Sequence, residues 1–411
     1  MDSREGSAAF VAPLLVLALG HMISNLLRTL PAISADVLSL DIGTTPEGLA
    51  SLTGAYHLAF AAGQIPLGVA LDRFGVKPVA LVLLTVVTLG AAASAMIGGP
   101  LGFLLTQILL GLGCCGGLLC PMTLAAKHLT PARFGLWSGL IQGTGNVGML
   151  LSASPLAWVV EHAGWRMGFW VSAGLALVVL LLVVRLVPAP VPPAMPLGPR
   201  PSLLAEAREV VRLGFSRRLR GLVLLAFASF AVIMGLRGLW GGPWLMEIKH
   251  LTRIEAGNVL LLFTLALIAG PVLSGVLDRR IGHRRLLLIL GHVAASLCIL
   301  LVVAGGPGGW LSGLLGLPML PAGYDAAMFF AFGLAIAVQP LAFAMTRAVV
   351  PPEQAGKALS AVNLSFFLGT AVLQGASGPV AAAWGIGAAL AFLALANLAC
   401  TLFFAMSTRR A

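Results

Sequence analysis

Residues 68–78 read GVALDRFGVKP and residues 274–285 read SGVLDRRIGHRR. Each stretch places an aspartate and basic residues directly after a long apolar run. Their aspartates, Asp72 and Asp278, stand 206 residues apart in a chain of 411. A basic loop that recurs at half the chain length predicts a parallel duplication, two sets of helices around a common centre. Composition points the same way: 59% of the residues are hydrophobic and 9% charged, whereas a soluble domain carries about a quarter charged residues. So little charge cannot cover a water-facing surface, and the chain is too long to bury its apolar residues in one core. A soluble enzyme, a disordered chain and a secreted disulfide scaffold are thereby excluded. The apolar runs are long and continuous rather than short alternations, so the spans are helices and not a β-barrel.

At about 20 residues per span, the sequence predicts an all-α membrane protein with twelve transmembrane helices in two pseudo-symmetric six-helix bundles. The first six are expected over 9–36, 48–71, 78–98, 101–126, 135–160 and 166–187. The second six are expected over 219–245, 256–277, 285–305, 325–346, 358–381 and 384–406. Residues 1–187 form the first bundle, 188–218 a cytoplasmic linker and 219–411 the second bundle. The linker opens with PAPVPPAMPLGPRP (188–201), whose seven prolines make it stiff and extended. It continues with Leu203, Leu204, Ala207, Val210 and Val211 opposite Glu206, Glu209 and Arg212, an amphipathic helix expected on the membrane surface. A second irregular segment, 305–324, is expected at the opposite interface.

The net charge of +11 is spread thinly between apolar runs, which suits membrane–water interfaces and not nucleic acid. Twenty of the 25 lysines and arginines fall in the tails, the linker and the even-to-odd loops. Only Arg166, Lys249 and Arg253 fall on the other side, and Arg28 and Arg237 lie within spans. This asymmetry puts both termini in the cytoplasm, with the chain in a bacterial inner membrane. The five cysteines all fall inside apolar runs and report nothing on redox compartment. Asp2, Arg4 and Glu5 give no clear positive region for a cleavable signal.

Gly68, Asp72, Arg73, Gly75 and Lys77 together spell G-x-x-x-D-R-x-G-x-[KR]. On these residues the chain resembles the major facilitator superfamily, over essentially its whole length. The second copy keeps Asp278, Arg279 and Gly282, but Ser274 replaces the first glycine and Arg280 adds a residue. GWRMGFW at 164–170 is also similar to this family. The resemblance implies a secondary transporter that rocks two bundles about a cavity lined by spans one, two, four, five and their counterparts. It implies no catalytic residue and no cofactor. It also implies a gating role for the two loops; pseudo-symmetry and favourable carboxylate–helix-dipole contact then place Asp72, when the cytoplasmic side is closed, near the start of span eleven, around Lys357 to Ser360, and Asp278 near the start of span five, around Phe134. Two sub-signatures are missing. Gln107 stands where proton-coupled drug antiporters carry an arginine before Gly111, and GTGNVGMLLSASP (143–155) lacks their G-P-x-x-G-G element. Both departures speak against drug/proton antiport.

Polar groups inside spans are the candidates for substrate contact. His21, Asn25 and Arg28 form one stripe on span one; Thr53, His57 and Gln64 form another on span two. Span five offers Gln142 and Asn146, span seven Arg237, span ten Gln339 and Phe343, and span eleven Asn363, Phe367, Thr370 and Gln374. The competing reading is that such amides and histidines join helices. Every carboxylate falls at a span end, loop or tail. Exchange, facilitated transport, or coupling through His21 or His57 is therefore expected rather than a buried-acid relay. His292 reads as peripheral, and Trp240 and Trp244 as markers of the outer end of span seven. Cys114, Cys115, Cys120 and Met122 are soft metal ligands, but GLGCCGGLLCP reads better as a run for tight packing, so no metal is expected.

Arg28 and Arg237 carry the substrate reading. Each lies deep in a span, where insertion costs about 2.5–3.5 kcal/mol. Their separation of 209 residues makes them near-equivalent in the two halves. Two matched guanidiniums suit a carboxylate or phosphate, which the planar fork grips with parallel bonds. The alternative places both at the outer rim, paired with Asp36 or Glu247, in an exporter of neutral or amphipathic compounds. A non-transport alternative is a membrane-embedded sensor, for which the chain carries no soluble domain. The expected partners are a small-molecule substrate and the lipid bilayer, with a coupling or exchange ion left open, and the chain is expected to be monomeric.

Overall fold

The computed structural model describes residues 10–128, 131–189, 203–351 and 354–408. Among them every regular element is helical: α1 (Val11–Ile33), α2 (Ala35–Ile42), α3 (Pro46–Phe74), α4 (Val76–Met96), α5 (Pro100–Cys114), α6 (Leu119–His128), α7 (Pro131–Leu151), α8 (Ser154–Ala163) and α9 (Trp165–Leu186). After α10 (Leu203–Gly214) come α11 (Arg220–Gly235), α12 (Arg253–Ile281), α13 (Arg284–Ala304), α14 (Trp310–Leu314), α15 (Ala322–Ile336), α16 (Leu341–Val349), α17 (Ala355–Trp384) and α18 (Ile386–Ser407). Ten helices or helix pairs are long and apolar enough to cross a membrane among the described residues. Helix α3 and the broken pair α7–α8 stand where spans two and five were expected but fall outside that group. Most of the proline-rich linker, 190–202, lies outside the described residues.

The interruptions follow from local chemistry. Pro155 has no N–H to offer Leu151, and α7 stops there. Ala153 N–H bonds Leu150 O instead of continuing the ladder to Met149 O, so the Met149 carbonyl accepts side-chain donors instead, among them Ser152 Oγ at 3.0 Å. In GGP, 241–243, Pro243 likewise removes a donor. The chain widens into π-helical turns at Leu236–Trp240 and Trp244–Ile248, closed by bonds such as Lys249 N–H to Trp244 O. Arg237 sits on the first of these turns.

Small residues set how closely the helices approach. A Cβ at Gly145 or Gly148 on α7 would run into His21 or the Met22 carbonyl on α1. One at Gly111 on α5 would meet the Tyr56 carbonyl on α3, and one at Gly369 on α17 the Phe227 backbone on α11. The GCCGG run packs in the same way, with Cys115 against Gly63.

The two signature loops share a device. Gly75 and Gly282 close α3 and α12 with φ of 79° and 69°, a region where a Cβ is strained. Lys77 then donates to the C-terminal carbonyl of Val184 on α9 at 2.8 Å. Arg285 donates to Ala405 O at 2.7 Å and to Thr408 Oγ1 at 2.9 Å at the end of α18. The basic residue of each copy thus caps the negative end of the last helix of its own half. Asp278 is held within its own loop by Arg284 at 3.0 Å. The side chains of Asp72, Arg279 and Phe134 lie outside the described residues. Helix α10 does not simply lie on a membrane surface. Val210 is buried, Gly214 lies beside Ala361 of α17, and Glu209 pairs with Lys357, while Leu204 remains exposed.

Candidate functional site

Arg28 and Arg237 are both buried, at 6% and 0% exposure. Asp36, the proposed rim partner, instead takes two bonds from Arg253, at 2.9 and 2.7 Å. No carboxylate pairs with Arg28 or Arg237 among the described residues.

Arg28 is enclosed by rings. Its guanidinium carbon lies 5.9 Å from the Tyr56 ring centre, 5.0 Å from Phe60, 5.5 Å from Phe230 and 5.4 Å from Phe367. Tyr56 and Phe60 come from α3, one turn apart; Phe230 comes from α11 and Phe367 from α17. The box therefore joins the two halves of the chain, and Phe60 and Phe367 touch at 4.0 Å between centres. Its polar contact is Nη2 to Ser24 Oγ at 3.2 Å, and its Nε is buried without a partner among the described residues. Desolvating an ion costs several kcal/mol. A desolvated cation–π contact returns about 2 kcal/mol. The rings cover the charge without neutralising it.

Arg237 is held by oxygen atoms. Nε donates to Thr264 Oγ1 of α12 at 2.9 Å. Nη2 crosses to the first half and donates to Ser152 Oγ at 3.0 Å and to the Met149 carbonyl freed by the α7–α8 break. Thr29 of α1 also bonds Ser152, so four helices meet at one node. Only Nη1 remains unpartnered among the described residues.

The other candidates divide into joints and free groups. His21 bonds Gln142 at 3.1 Å, within the first half. Gln64 donates to Cys115 O at 3.1 Å and accepts from Asn363 at 3.2 Å, across the halves. Gln339 donates to Ser229 at 3.2 Å. Asn146 is half-buried on α7. Among the described residues, Asn25 and Gln374 keep buried side-chain oxygens without partners, as does His57 with both ring nitrogens. Three of these groups, His57, Asn25 and the Arg28 Nε, belong to the paired stripes on α1 and α3.

Two readings are corrected. Trp240 and Trp244 do not mark an interface; they are 0% and 2% exposed and donate to Ser377 and Asp325 at 2.8 Å. Asp325 also meets Lys249 at 3.0 Å, with both side chains buried. His292 is not peripheral: it is fully buried and bonds Ser229 and Leu288 O at 2.8 Å, while Asn397 donates to its carbonyl. Tyr56, Phe60, Phe230, Ser152 and Thr264 escaped the sequence reading, because aromatic and hydroxyl residues inside apolar runs look like ordinary packing.

At the end of the molecule away from the chain termini, Arg253 ties α12 to the first half through Asp36, Glu161 and Ile33 O, and Ser154 bonds Asn258 at 2.6 Å. Burial raises the Asp36 carboxyl, but the hydrogen bonds and charge of Arg253 outweigh it and hold the group below the usual range.

A profile of the Major Facilitator Superfamily matches residues 17–328 and 242–411. The chain belongs to this superfamily. It is thereby a multi-pass membrane protein of a transporter family and not an enzyme. It is 26% identical over 258 residues, 61% of its length and 62% of the relative's, to a Bacillus subtilis (strain 168) protein named for niacin/nicotinamide transport. It is 24% identical over 330 residues, 76% of its length and 65% of the relative's, to the methylenomycin A resistance protein of the same organism. The chain thus spans less than two thirds of each of these relatives. The nucleoside transporter NupG has the same fold, with a TM-score of 0.77 at 14% identity over 96% of this chain and 100% of that one.

Proposed function

We propose that the protein is a secondary transporter of a small organic anion, working by alternating access across the cytoplasmic membrane. In this reading twelve spans form two six-helix halves, 1–187 and 219–411, joined by the linker 188–218. The twenty-to-three split of basic residues puts both termini in the cytoplasm, and the chain acts as a monomer. The observation that carries the anion reading is the buried Arg28, whose Nε has no partner and which no carboxylate neutralises among the described residues. A carboxylate would bond the guanidinium edge while the rings keep its faces. The niacin-named relative fits, since nicotinate is a flat aromatic acid.

The second reading is export of a neutral or amphipathic compound. The relatives taken together lean towards it more than towards the anion: a resistance protein is among them, and nicotinamide is neutral. Proteoliposome uptake of labelled nicotinate and nicotinamide separates the two. Uptake of nicotinate alone, abolished in Arg28→Lys, supports the anion reading. Equal uptake of both, or methylenomycin A efflux that survives Arg28→Lys, supports the second.

A further inference from the structure

The ring box around Arg28 bears on how the carrier cycles, a point beyond the identity of its solute. A cation that must be enclosed between two moving halves needs cover in every conformation of the cycle. Where only the solute can supply that cover, the halves cannot meet around a bare charge, and the carrier is restricted to exchange. Here the protein supplies it. Two ring faces, Tyr56 and Phe60, travel with Arg28 in the first half of the chain, and two, Phe230 and Phe367, come from the second. The second pair reaches Arg28 only when the halves meet, and Phe60 against Phe367 is itself part of that meeting. When the halves part, water replaces the lost faces. Arg237 is covered on the same principle, since its Nη2 bonds to Met149 O and Ser152 also form across the halves.

We infer that the four rings serve as the cover of Arg28 in the unloaded carrier, so that this transporter returns empty and carries out net transport rather than obligatory exchange. The rings are positioning residues for the cycle. The inference rests on the transporter reading but not on which solute is carried.

The test is the double variant Phe230→Leu with Phe367→Leu, which keeps the site apolar and removes the two faces that the second half supplies. One arm uses no solute. In a chain with its five cysteines replaced, Gln64→Cys and Asn363→Cys report the meeting of the halves, because those side chains lie 3.2 Å apart one turn from Phe60 and Phe367. Oxidative cross-linking should be roughly tenfold slower when the double leucine variant is added. Unchanged cross-linking, in protein that still runs as a monodisperse species, overturns the inference. The other arm loads proteoliposomes with labelled nicotinate and compares efflux into plain buffer with efflux into unlabelled nicotinate. The native chain should release label at rates within about twofold in the two buffers, and the double variant only into nicotinate. A native chain that needs external nicotinate is an exchanger, and the inference falls. No movement of nicotinate under any condition overturns the nicotinate reading instead, and the cross-linking arm then decides the inference alone.

Discussion

Arg28 and Arg237 stand at near-equivalent places in the two halves, yet their surroundings are opposite. Arg28 faces four aromatic rings and makes one bond to a side-chain hydroxyl. Arg237 faces oxygen atoms and spends Nε and Nη2 on a cross-half node. The first arrangement leaves the edge of a guanidinium available; the second uses most of it to fasten α11 to α7. Near-symmetry of sequence position has therefore not produced symmetry of role. One arginine keeps an unpartnered Nε inside a ring box, and the other ties the second half of the chain to α7.

The largest expected effect comes from Arg28→Lys, which keeps the charge and loses the fork. Nicotinate uptake should fall by roughly 10–100-fold, the cost of losing charge-assisted bonds, with accessibility elsewhere unchanged. Arg237→Lys should act differently. The Ala157 side chain lies against Gly257, beneath the seal formed by α8 and α12. In a cysteine-free chain carrying Ala157→Cys, impermeant maleimide labelling from outside should rise by about 5–30-fold, equivalent to one or two kcal/mol of lost closure. If Arg28→Lys raises this labelling as much as Arg237→Lys, the division of roles is wrong.

Arg253→Ala should raise the same labelling less, by about 2–5-fold, since its ion pairs are partly exposed. The smallest effect is that of acid. Asp36 is held below the ordinary aspartate value of about 3.9, so its contribution to closure is complete above that value. It is lost as pH falls through the lower folded value. Labelling at position 157 should be flat from pH 8 to about pH 5 and rise only below about pH 4. A rise near pH 6 would mean that a histidine holds the seal.

Much of the fold was legible because lipid solvation leaves a direct record in composition. The ends of α1, α3, α4, α9, α13 and α18 fall within a few residues of the expected spans. The half-chain repeat was visible in the loops, and the glycines at 75 and 282 mark turns that only glycine takes easily. The breaks at Pro155 and Pro243 were less visible, since a proline in an apolar run can be absorbed as a kink. Trp240, Trp244 and His292 were misplaced for a related reason. Hydropathy distinguishes lipid from water, but not a lipid-facing side from one packed on a neighbouring helix.

Composition and the length of the apolar runs dictate that the chain spans a membrane as helices, and position along those runs puts two arginines deep within them. These follow from solvation and backbone periodicity, which act residue by residue. What each arginine meets is a matter of packing between helices. The box around Arg28 draws rings from α3, α11 and α17. The Met149 carbonyl that binds Arg237 has no backbone donor because α7 breaks beside it. Such encounters depend on how far each helix is rotated and how closely glycines let it approach its neighbours, and neither quantity is local to any stretch of the chain.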